Sequence, residues 1–386
     1  MTEPEWAPRV AVDARALYAS GIGRYLRELL AEWCRTGPFA RLTLLGDPSL
    51  LRAFLAEHPT TMPTRVIEHR GTAYSAAAQW SWLAGARRAA DADEVTFFPH
   101  WDAPVLSFPA RSVVTVHDLT PFRVPDAFGR GKRTVGRIVF DRVLVRAAAI
   151  LCVSQATADD LEAADPTLAE RVHVVPNGVG SDFRDAGRGD DGGEPPVAGT
   201  YLLWIGMLKP HKNPAAALDV LARIRANGRP DVRLVVVGRS FPELSLPDLV
   251  DARGLRDAVV VLGEVDDAVL RQLYAGAGAL LFPSRAEGFG LPVLEAMAAG
   301  TPVIASDIPA LVEITDGAAA LFAPDDVAGM AEATFAVLCD PCRRAAAVAR
   351  GRARAAAFSW TAAGGRTAAV LAHVARSAAR ASSTGS

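Results

Sequence analysis

Short apolar runs alternate with longer amphipathic stretches along almost the whole chain. Such runs, when they end in glycine, proline or polar residues, are typical of buried parallel strands. The strands predicted in this way cover 9–14, 42–45, 66–68, 95–98, 112–116, 150–153, 172–175, 201–205, 234–237, 259–262, 279–282 and 302–305. Because helical periodicity separates most of these strands, the pattern predicts an α/β fold with parallel sheets.

The pattern restarts near residue 200, and each half of the chain opens with a strand, a loop and a helix. Residues 181–199 are rich in Gly, Asp and Pro, which makes this stretch the best linker candidate. A chain of 386 residues is also too long for one ordinary hydrophobic core. We therefore predict two domains.

The stretch from residue 284 to 306 has the most specific pattern in the chain. It leads from a predicted strand through a loop into a helix, with Pro292 in the first turn and Gly300 just past the last. Gly288 and Gly290 let backbone N–H groups come close to a ligand, and a helix N-terminus favours an anion. A phosphate group is therefore the predicted ligand of this loop.

Two carboxylates flank the predicted phosphate position. Glu287 lies in the loop, and Glu295 lies one turn into the helix. A carboxylate accepts two hydrogen bonds, which matches a pair of neighbouring hydroxyl groups. The pattern therefore predicts a sugar at one end of the phosphate and a ribose at the other.

A basic cluster precedes the first helix of the second half. This helix starts at Pro214, and Asn213 is its predicted N-cap. Cations beside a helix N-terminus suit a diphosphate. The basic residues are Lys209, His211 and Lys212.

Glycines also precede the first helix of the chain, predicted at 24–33. Gly21 and Gly23 suit a helix N-terminus close to a phosphate or a sugar hydroxyl, and a plain tight turn is the alternative. The dinucleotide-binding fingerprint G-x-G-x-x-G is not complete, because Leu26 occupies its third glycine position. In the second half, Val265 lies just past a predicted strand and could line a base pocket.

His117 directly follows the predicted strand 112–116 and precedes Asp118. Ligands of open α/β sheets bind at the carboxyl ends of strands, so this position favours a chemical role. A structural histidine is the alternative.

Other polar and aromatic patterns have a structural and a functional interpretation. A basic helix is either a solvated face or a contact for an anionic acceptor or a membrane surface. Three tryptophans either pack in the core or form a sugar-stacking face. A D-x-D triplet suits a solvated turn better than a metal site, and one C-x-x-C lacks the context of a redox or zinc site. The basic residues of the helix are Lys132, Arg133, Arg137, Arg142 and Arg146, and the tryptophans are Trp80, Trp82 and Trp101. The D-x-D triplet contains Asp91 and Asp93, and the C-x-x-C motif contains Cys339 and Cys342.

Composition narrows the class of protein. Half of the residues are hydrophobic and 22% are charged, as in a globular chain, and a net charge of −2 gives no attraction to nucleic acid. The first residues lack the pattern of a signal peptide, and no apolar run is long enough to span a bilayer. Four cysteines imply no disulfide framework. We expect a cytoplasmic protein without a nucleic-acid partner, and a peripheral membrane contact is an open alternative.

Taken in order, these motifs resemble the family 4 retaining glycosyltransferases of the GT-B fold. The landmarks are S-G-I-G-R-Y at 20–25, V-V-T-V-H-D-L at 113–119, V-S-Q-A-T at 153–157, P-N-G-V at 176–179, G-M-L-K-P-H-K-N at 206–213 and E-G-F-G-L-P-V-L-E-A-M-A-A-G-T-P-V-I-A-S at 287–306. The resemblance covers nearly the whole chain and implies two Rossmann-like domains that face a central cleft. It implies an acceptor-side domain at 1–185, a nucleotide-sugar domain at 197–360, and a last helix at about 361–380 that packs back on the first domain.

The resemblance also implies site roles. Glu295 would bind the ribose and Glu287 the donor sugar, while Lys212 would neutralise the diphosphate. His117 would lie near the transferred sugar. The donor-binding set implied in this way is Gly21, Gly23, Gly206, Lys209, His211, Lys212, Val265, Glu287, Gly288, Phe289, Gly290, Leu291 and Glu295; the catalytic set is His117, Glu287 and Lys212; no metal ligand is implied.

One position departs from the family pattern. Many members carry an arginine directly after the glycine at 206, as a second diphosphate cation, and this chain carries Met207 there. We expect Lys209 or His211 to compensate in part.

The resemblance therefore predicts transfer of a hexose from a nucleotide diphosphate sugar to an acceptor hydroxyl, with retention at the anomeric carbon and without a cofactor. GDP-mannose is the favoured donor. The acceptor would be a glycan, a lipid-linked glycan or a small molecule. Two alternatives stay open: a non-catalytic GT-B protein that binds a sugar nucleotide, and a Rossmann-type oxidoreductase.

Overall fold

The structure is a computed structural model that describes residues 7–71, 75–83, 94–105, 107–123, 130–185, 197–241 and 244–383. Some sequence predictions fall outside this part of the chain. They concern the triplet Asp91–Asp93, the side chains of Lys132 and Arg133, and residues 186–196 of the predicted linker.

Strands and helices alternate along the chain. The strands are β1 (Arg9–Asp13), β2 (Arg41–Gly46), β3 (Thr64–Glu68), β4 (Val95–Phe98), β5 (Ser112–Val116), β6 (Ala149–Cys152), β7 (Val172–Val174), β8 (Tyr201–Ile205), β9 (Arg233–Val237), β10 (Val259–Gly263), β11 (Ala279–Phe282), β12 (Val303–Ser306) and β13 (Ala320–Phe322). The helices are α1 (Ser20–Thr36), α2 (Pro48–Glu57), α3 (Ala76–Ser81), α4 (Thr120–Arg123), α5 (Arg130–Arg146), α6 (Gln155–Ala164), α7 (Ser181–Asp185), α8 (Pro214–Ala226), α9 (Leu246–Asp251), α10 (Asp267–Gly276), α11 (Leu291–Ala299), α12 (Pro309–Thr315), α13 (Val327–Cys339), α14 (Pro341–Ala355) and α15 (Trp360–Ser383). Pro166–Arg171 and Pro210–Lys212 form short 3₁₀ helices.

The chain divides into two compact units. Unit 1 contains Met1–Leu119, Phe128–Gly178 and Trp360–Ser386, and unit 2 contains Thr120–Ala127 and Val179–Ser359. Helix α15 therefore belongs to the same unit as β1, although it lies at the other end of the chain.

Unit 1 is built on a parallel sheet with the strand order β3-β2-β1-β4-β5-β6-β7. Strands β4 and β5 are buried along their whole length, which agrees with their largely apolar sequences. Strands β2 and β3 extend the sheet on one side of β1, and β5, β6 and β7 extend it on the far side of β4. The loops after these two strands therefore flank a topological switch point, the place where open α/β sheets bind ligands.

The first and last helices of the chain pack against each other in unit 1. The indole N–H of the buried Trp33 in α1 donates a hydrogen bond of 3.0 Å to the carbonyl of Gly364 in α15. A Cβ atom on Gly364 would lie 2.8 Å from Cγ of Glu32, so only glycine allows this close approach.

Helix α1 begins earlier than predicted. Gly21 and Gly23 lie in its first turn and not in a loop before it. The N–H of Gly23 donates to the carbonyl of Ala19 at 2.5 Å, which closes this turn. A Cβ atom on Gly23 would lie 2.7 Å from the carbonyl oxygen of Ala16, so this glycine is needed for packing.

The tryptophans do not form a shared sugar-stacking face. Trp82 and Trp101 are core residues: the indole of Trp82 donates to the carbonyl of Ser107 at 3.0 Å, and Trp101 packs edge-on against Phe140. Trp80 alone is largely exposed, at 71%. The prediction of a sugar-stacking face is therefore wrong, because the rings of Trp82 and Trp101 pack in the core of unit 1.

Helix α5 carries the basic residues that were considered for a membrane or acceptor contact. Arg137 pairs with Asp141 one turn away at 2.8 Å, and Val135, Ile138 and Val145 are exposed. Within the described part of the chain, no helix combines the length and the apolar character needed to cross a membrane.

Unit 2 is built on a second parallel sheet, with the strand order β10-β9-β8-β11-β12-β13. Its core contains Leu202 and Trp204 of β8 and Leu281 of β11, all buried. The order reverses between β8 and β11, so the loops after these strands flank the switch point of this sheet.

Arginines of α14 hold the ends of two neighbouring helices. Arg352 donates to the carbonyl of Ala299, the last residue of α11, and Arg354 donates to the carbonyl of Ile314 in the last turn of α12. The last carbonyls of a helix lack partners within the helix and carry partial negative charge. The guanidinium of Arg352 therefore ties the end of α11 to α14, and that of Arg354 ties the end of α12 to the same helix.

Candidate functional site

A buried ion pair joins the two loops at the switch point of unit 2. Nζ of Lys212, after β8, lies 2.7 Å from both carboxylate oxygens of Glu287, after β11. The two side chains are only 15% and 10% exposed, so solvent screens their attraction weakly. Nζ also lies 5.8 Å from the ring centre of Phe282, the last residue of β11. The structure thus brings together two residues that the sequence analysis named separately.

Close backbone packing positions the loop that carries Lys212. The N–H of Gly206 donates to the carbonyl of Val237 at 3.0 Å, and a Cβ atom on Gly238 would overlap the carbonyl oxygen of Gly206. Gly238 also has a φ of 135°, which side chains disfavour. The loop then closes into its 3₁₀ turn through a hydrogen bond of 3.0 Å from the N–H of Lys212 to the carbonyl of Lys209.

Asn213 precedes α8 as predicted but does not cap it with its side chain. Its φ is 52°, a left-handed conformation that asparagine tolerates, and its side chain makes no capping hydrogen bond to the described residues of the helix. Its Nδ2 donates instead to the carbonyl of Pro324 at 2.9 Å. The predicted capping role is wrong, and the side chain ties the helix start to the loop after β13.

Glycines mark both ends of α11, the helix that follows the Glu287 loop. Gly290 precedes it with a φ of 100°, Pro292 lies in its first turn, and Gly300 closes it with a φ of 84°, so the predicted helix is confirmed. A Cβ atom on Gly290 would lie 2.5 Å from Cδ2 of the buried Leu311 in α12. The loop therefore turns over α12 so closely that only glycine fits.

The backbone residues predicted to meet phosphate and sugar lie at this same helix start. Gly288 and Phe289 are buried, and Leu291 is the first residue of α11. The Phe289 ring packs edge-on against Phe358, with 6.1 Å between ring centres.

Glu295, the predicted ribose ligand, is a buried residue of α11. Its Oε2 accepts a hydrogen bond of 2.8 Å from the hydroxyl of Tyr274, which is also buried. The carbonyl of Tyr274 accepts in turn from the hydroxyl of Thr301 at 2.5 Å. Tyr274 was not predicted as a site residue, because no sequence pattern separates its position in α10 from core packing.

The remaining predicted donor residues lie just before α8 and just after β10. Nζ of Lys209 lies 4.8 Å from the ring centre of Phe241. His211 is buried, and its carbonyl accepts from the N–H of Arg285 at 2.8 Å. Val265 follows β10 at the edge of the sheet. The compensation expected for the missing arginine stays a prediction.

His117 follows β5 in unit 1. Its Nε2 lies 2.8 Å from the carbonyl oxygen of Pro99, which can only accept, so Nε2 carries the proton and Nδ1 the lone pair. Its ring packs edge-on against Tyr25, with centres 4.8 Å apart. Burial lowers the pKa of His117, so the imidazole is neutral at pH 7. Gly21 and Gly23 belong to the same unit.

A buried charged group that was not predicted from the sequence lies at the switch point of unit 1. Asp13 ends β1, and its carboxylate accepts from Nε of Arg15 at 2.9 Å and from Nη2 at 2.6 Å. Nη2 also donates at 3.0 Å to the carbonyl of Asp102, after β4. Burial alone would raise the pKa of Asp13, but the charge and hydrogen bonds of Arg15 outweigh it and lower that pKa. The available signal was an acidic residue at a strand end, two positions before an arginine.

Two histidines near this group should make the protein sensitive to acid. Burial lowers the pKa of His69 to about 4 and that of His100 to about 3, from an ordinary value of 6.5. Below pH 6.5 the unfolded chain therefore binds more protons than the folded chain. Stability should fall with falling pH by about 1.4 kcal/mol per pH unit for each histidine. We expect urea unfolding to show this loss between pH 7 and pH 5.

The variant His100→Asn isolates one of these contributions. Asparagine keeps an acceptor for the N–H of Asp102, which now donates to Nδ1 of His100 at 3.1 Å, but it cannot titrate. The variant should lose less stability than the wild type on acidification, because a side chain that does not titrate binds no extra proton in the unfolded chain. An equal pH dependence in wild type and His100→Asn would contradict a neutral buried His100.

Comparison with known proteins identifies the family. The model described as Glycosyltransferase Family 4 matches residues 19–183, and the model described as Glycosyl transferases group 1 matches residues 199–340. These two matches cover most of the chain, and the landmark motifs lie inside them. The chain belongs to this glycosyltransferase family.

Two of the most similar curated relatives are bacterial mannosyltransferases. O-antigen chain mannosyltransferase RfbU of Salmonella typhimurium strain LT2 is 33% identical over 229 residues, which are 59% of this chain and 60% of that protein. O-antigen chain mannosyltransferase B of Escherichia coli is 31% identical over 259 residues, 65% of this chain and 67% of that protein. The chain therefore spans less than two thirds of the first relative and about two thirds of the second.

Solved structures share the fold over nearly the whole chain. Sucrose-phosphate synthase from Thermosynechococcus elongatus superposes with a TM-score of 0.73 at 20% identity, covering 96% of this chain and 99% of that one. HepE from Anabaena, in complex with UDP and glucose, superposes with a TM-score of 0.71 at 21% identity, covering 95% and 100%. Together with the two parallel sheets, this likeness confirms the predicted α/β fold of the GT-B type.

Proposed function

We propose that this protein is a retaining glycosyltransferase that transfers a hexose from a nucleotide diphosphate sugar to an acceptor hydroxyl. The observation that carries the proposal is the Lys212–Glu287 pair at the switch point of unit 2. Family membership supplies the reaction class. The pair supplies the charges that such a donor needs, a cation for the diphosphate and a carboxylate for sugar hydroxyls.

The proposed donor site extends from this pair along α11. The N-terminus of α11, after Gly290, favours the negative charge of a phosphate. Glu295, one turn further, would accept hydrogen bonds from the ribose hydroxyls, and its contact with Tyr274 holds the carboxylate in place. Diphosphate, sugar and ribose would thus each meet a different part of one loop-helix segment.

In the proposed reaction the acceptor oxygen forms a bond to the anomeric carbon while the bond from that carbon to the leaving phosphate oxygen breaks. The acceptor proton passes to a phosphate oxygen on the same face, so the configuration is retained and the nucleoside diphosphate leaves. The protein would contribute positioning and electrostatic stabilisation of the leaving diphosphate by Lys212 and the α11 dipole. This scheme uses neither a metal ion nor an organic cofactor.

GDP-mannose is the donor that we propose first, because both relatives named above are mannosyltransferases. UDP-linked sugars are the second choice, because a protein of the same fold is known in complex with UDP and glucose. The acceptor would be a hydroxyl group of a glycan, a lipid-linked glycan or a small molecule.

A thermal-shift titration with GDP, UDP, dTDP and their sugars should identify the donor. The matching nucleotide at 100 times its Kd should stabilise the fold by about 2.7 kcal/mol. Glu295→Ala should remove most of this shift, measured against the variant's own Tm, because the ribose loses its acceptor. Glu332→Ala changes an exposed glutamate of α13 and should keep the full shift.

Each outcome of this titration decides between functions. If none of the nucleotides shifts the Tm, the donor site is wrongly assigned. If Glu295→Ala keeps the full shift, the ribose role is wrong although the donor site stands. Donor binding without product formation on cell-derived acceptors would favour a non-catalytic sugar-nucleotide-binding protein.

A further inference from the structure

Two places where the chain passes between the units lie next to segments of unit 2 that contact the proposed donor site. The first passage falls between Gly178 and Val179, and the second falls between Ser359 and Trp360. On the unit 2 side, α7 follows the first passage closely, and residues 355–358 precede the second. The loop and helix start at 287–295, which carry the proposed phosphate and ribose contacts, are called the donor segment below.

Helix α7 lies behind the proposed ribose ligand. The buried ring of Phe183 packs edge-on against Tyr274, with 5.7 Å between ring centres. The hydroxyl of Tyr274 in turn donates to Glu295 at 2.8 Å. An ion pair of 3.6 Å between Asp182 and Arg271 also ties α7 to α10, the helix of Tyr274. Helix α7 therefore supports the ring that holds the Glu295 carboxylate.

The second segment lies behind the proposed phosphate loop. The ring of Phe358 packs edge-on against the buried Phe289, with 6.1 Å between ring centres. The guanidinium of Arg354 lies over the Phe358 ring, 4.9 Å from its centre. Arg354 also donates to the carbonyls of Glu313 and Ile314 in α12. Phe358 is therefore held in place on one side while it supports the donor segment on the other.

Arg184 joins these two segments to each other. It directly follows Phe183, and its Nη2 donates to the carbonyl of Phe358 at 3.0 Å and to that of Ala355 at 3.4 Å. Ala355 is the last residue of α14, and carbonyls at a helix end carry partial negative charge that a guanidinium stabilises. One side chain thus connects the support of the ribose ligand with the support of the phosphate loop.

We propose that Phe183, Arg184 and Phe358 form a positioning platform behind the donor segment, and that this platform couples nucleotide binding to both passages of the chain. Coupling between two sites is reciprocal. A nucleotide that orders the donor segment therefore also orders α7 and residues 355–359, and loosening these segments weakens the nucleotide. The statement that the donor segment binds a nucleotide rests on the proposed function, whereas the platform itself does not.

The first test measures nucleotide affinity of the full chain by isothermal titration calorimetry with GDP and UDP. Arg184→Met removes both hydrogen bonds to the second segment but keeps a long unbranched side chain. It should weaken the nucleotide that binds by about 10-fold. Arg350→Met removes an exposed cation of α14 and should leave the affinity unchanged.

Two phenylalanine variants separate the two arms of the platform. Phe183→Leu keeps an apolar side chain but loses the ring contact behind Tyr274, so the ribose contact should suffer. The preference for GDP over 2′,3′-dideoxy-GDP should fall by about 3- to 10-fold. Phe358→Leu should weaken both nucleotides by a similar factor and leave their ratio unchanged. A general loss of stability would not produce this difference; if UDP is the nucleotide that binds, UDP and its dideoxy analogue replace the guanine pair.

Hydrogen–deuterium exchange, read by mass spectrometry, separates the platform from the proposed function. Without nucleotide, Arg184→Met should speed exchange in residues 287–291, and Arg350→Met should not. In the wild type, the bound nucleotide should slow exchange in residues 181–185 and 355–359 as well as in the donor segment.

Each result of these measurements decides the inference. It is overturned if Arg184→Met keeps wild-type exchange in residues 287–291, or if a bound nucleotide leaves residues 181–185 and 355–359 unchanged. If Arg184→Met does not fold, Phe183→Leu decides, and an unchanged ribose preference in that variant overturns the inference. If neither nucleotide binds but exchange in residues 287–291 rises in Arg184→Met, the platform stands and the transferase proposal fails.

Discussion

Replacing Lys212 by methionine should reduce the rate of sugar transfer by about 100- to 1,000-fold at saturating donor. Nζ of Lys212 is held 2.7 Å from Glu287 in a nearly buried setting, where a charge acts at low dielectric on the leaving diphosphate. Methionine fills a similar volume without the charge. Initial rates with the nucleotide sugar identified by thermal shift, at several donor concentrations, would measure the effect on kcat and on KM.

Lys212→Met should change the stability of the loop as well as the rate of transfer, so a control variant must separate these two effects. Without Lys212 the carboxylate of Glu287, which is 10% exposed, would lose its buried cation and destabilise the loop. The double variant Lys212→Met/Glu287→Gln restores neutrality, so it should recover stability but not transfer. Arg223→Met removes an exposed cation of α8 and should keep full activity.

Two results would contradict the role of Lys212. If the double variant recovered transfer together with stability, the ion pair would serve the fold and not the reaction. If Lys212→Met lost less than about tenfold in rate, the leaving diphosphate would receive its positive charge elsewhere. Lys209, whose ammonium lies over the Phe241 ring, would then be the next residue to replace.

Local sequence signals predicted α11 and the strands beside it well. Apolar runs predicted β11 and β12, and Pro292 and Gly300 predicted the two ends of α11. Such signals depend only on residues that are close in sequence. Local sequence signals do not predict the contact between Lys212 and Glu287. The two residues are 75 positions apart, and they meet because β8 pairs with β11.

In other parts of the site, one sequence pattern is compatible with more than one structure. An asparagine before a helix is typical of a side-chain cap, but Asn213 adopts a left-handed backbone and uses its amide on Pro324. Arg15 was hidden for another reason, because a single arginine two residues after a strand is common on protein surfaces. Its burial follows from the pairing of β1 with β4, which brings Asp102 to it.

Gly290→Ala should strongly destabilise unit 2. Alanine disfavours a φ of 100°, and its Cβ would lie 2.5 Å from Leu311 and 3.1 Å from Ile314, both buried in α12. We expect the free energy of unfolding to fall by about 2–5 kcal/mol from backbone strain and overpacking together. The stabilisation by nucleotide should also fall, because the start of α11 must move away from its position beside Glu287.

Two variants divide this effect into its causes. Gly317→Ala meets a comparable φ of 77° with no atom within 4 Å of the new Cβ, so it reports backbone strain alone and should lose about 1–2 kcal/mol. Gly290→Ala/Leu311→Ala removes the closest contact, so nucleotide stabilisation should recover in part even though the truncated Leu311 costs core packing. If Gly290→Ala matched Gly317→Ala in stability and kept its response to nucleotide, close packing of α12 beneath the loop would not be what positions the start of α11.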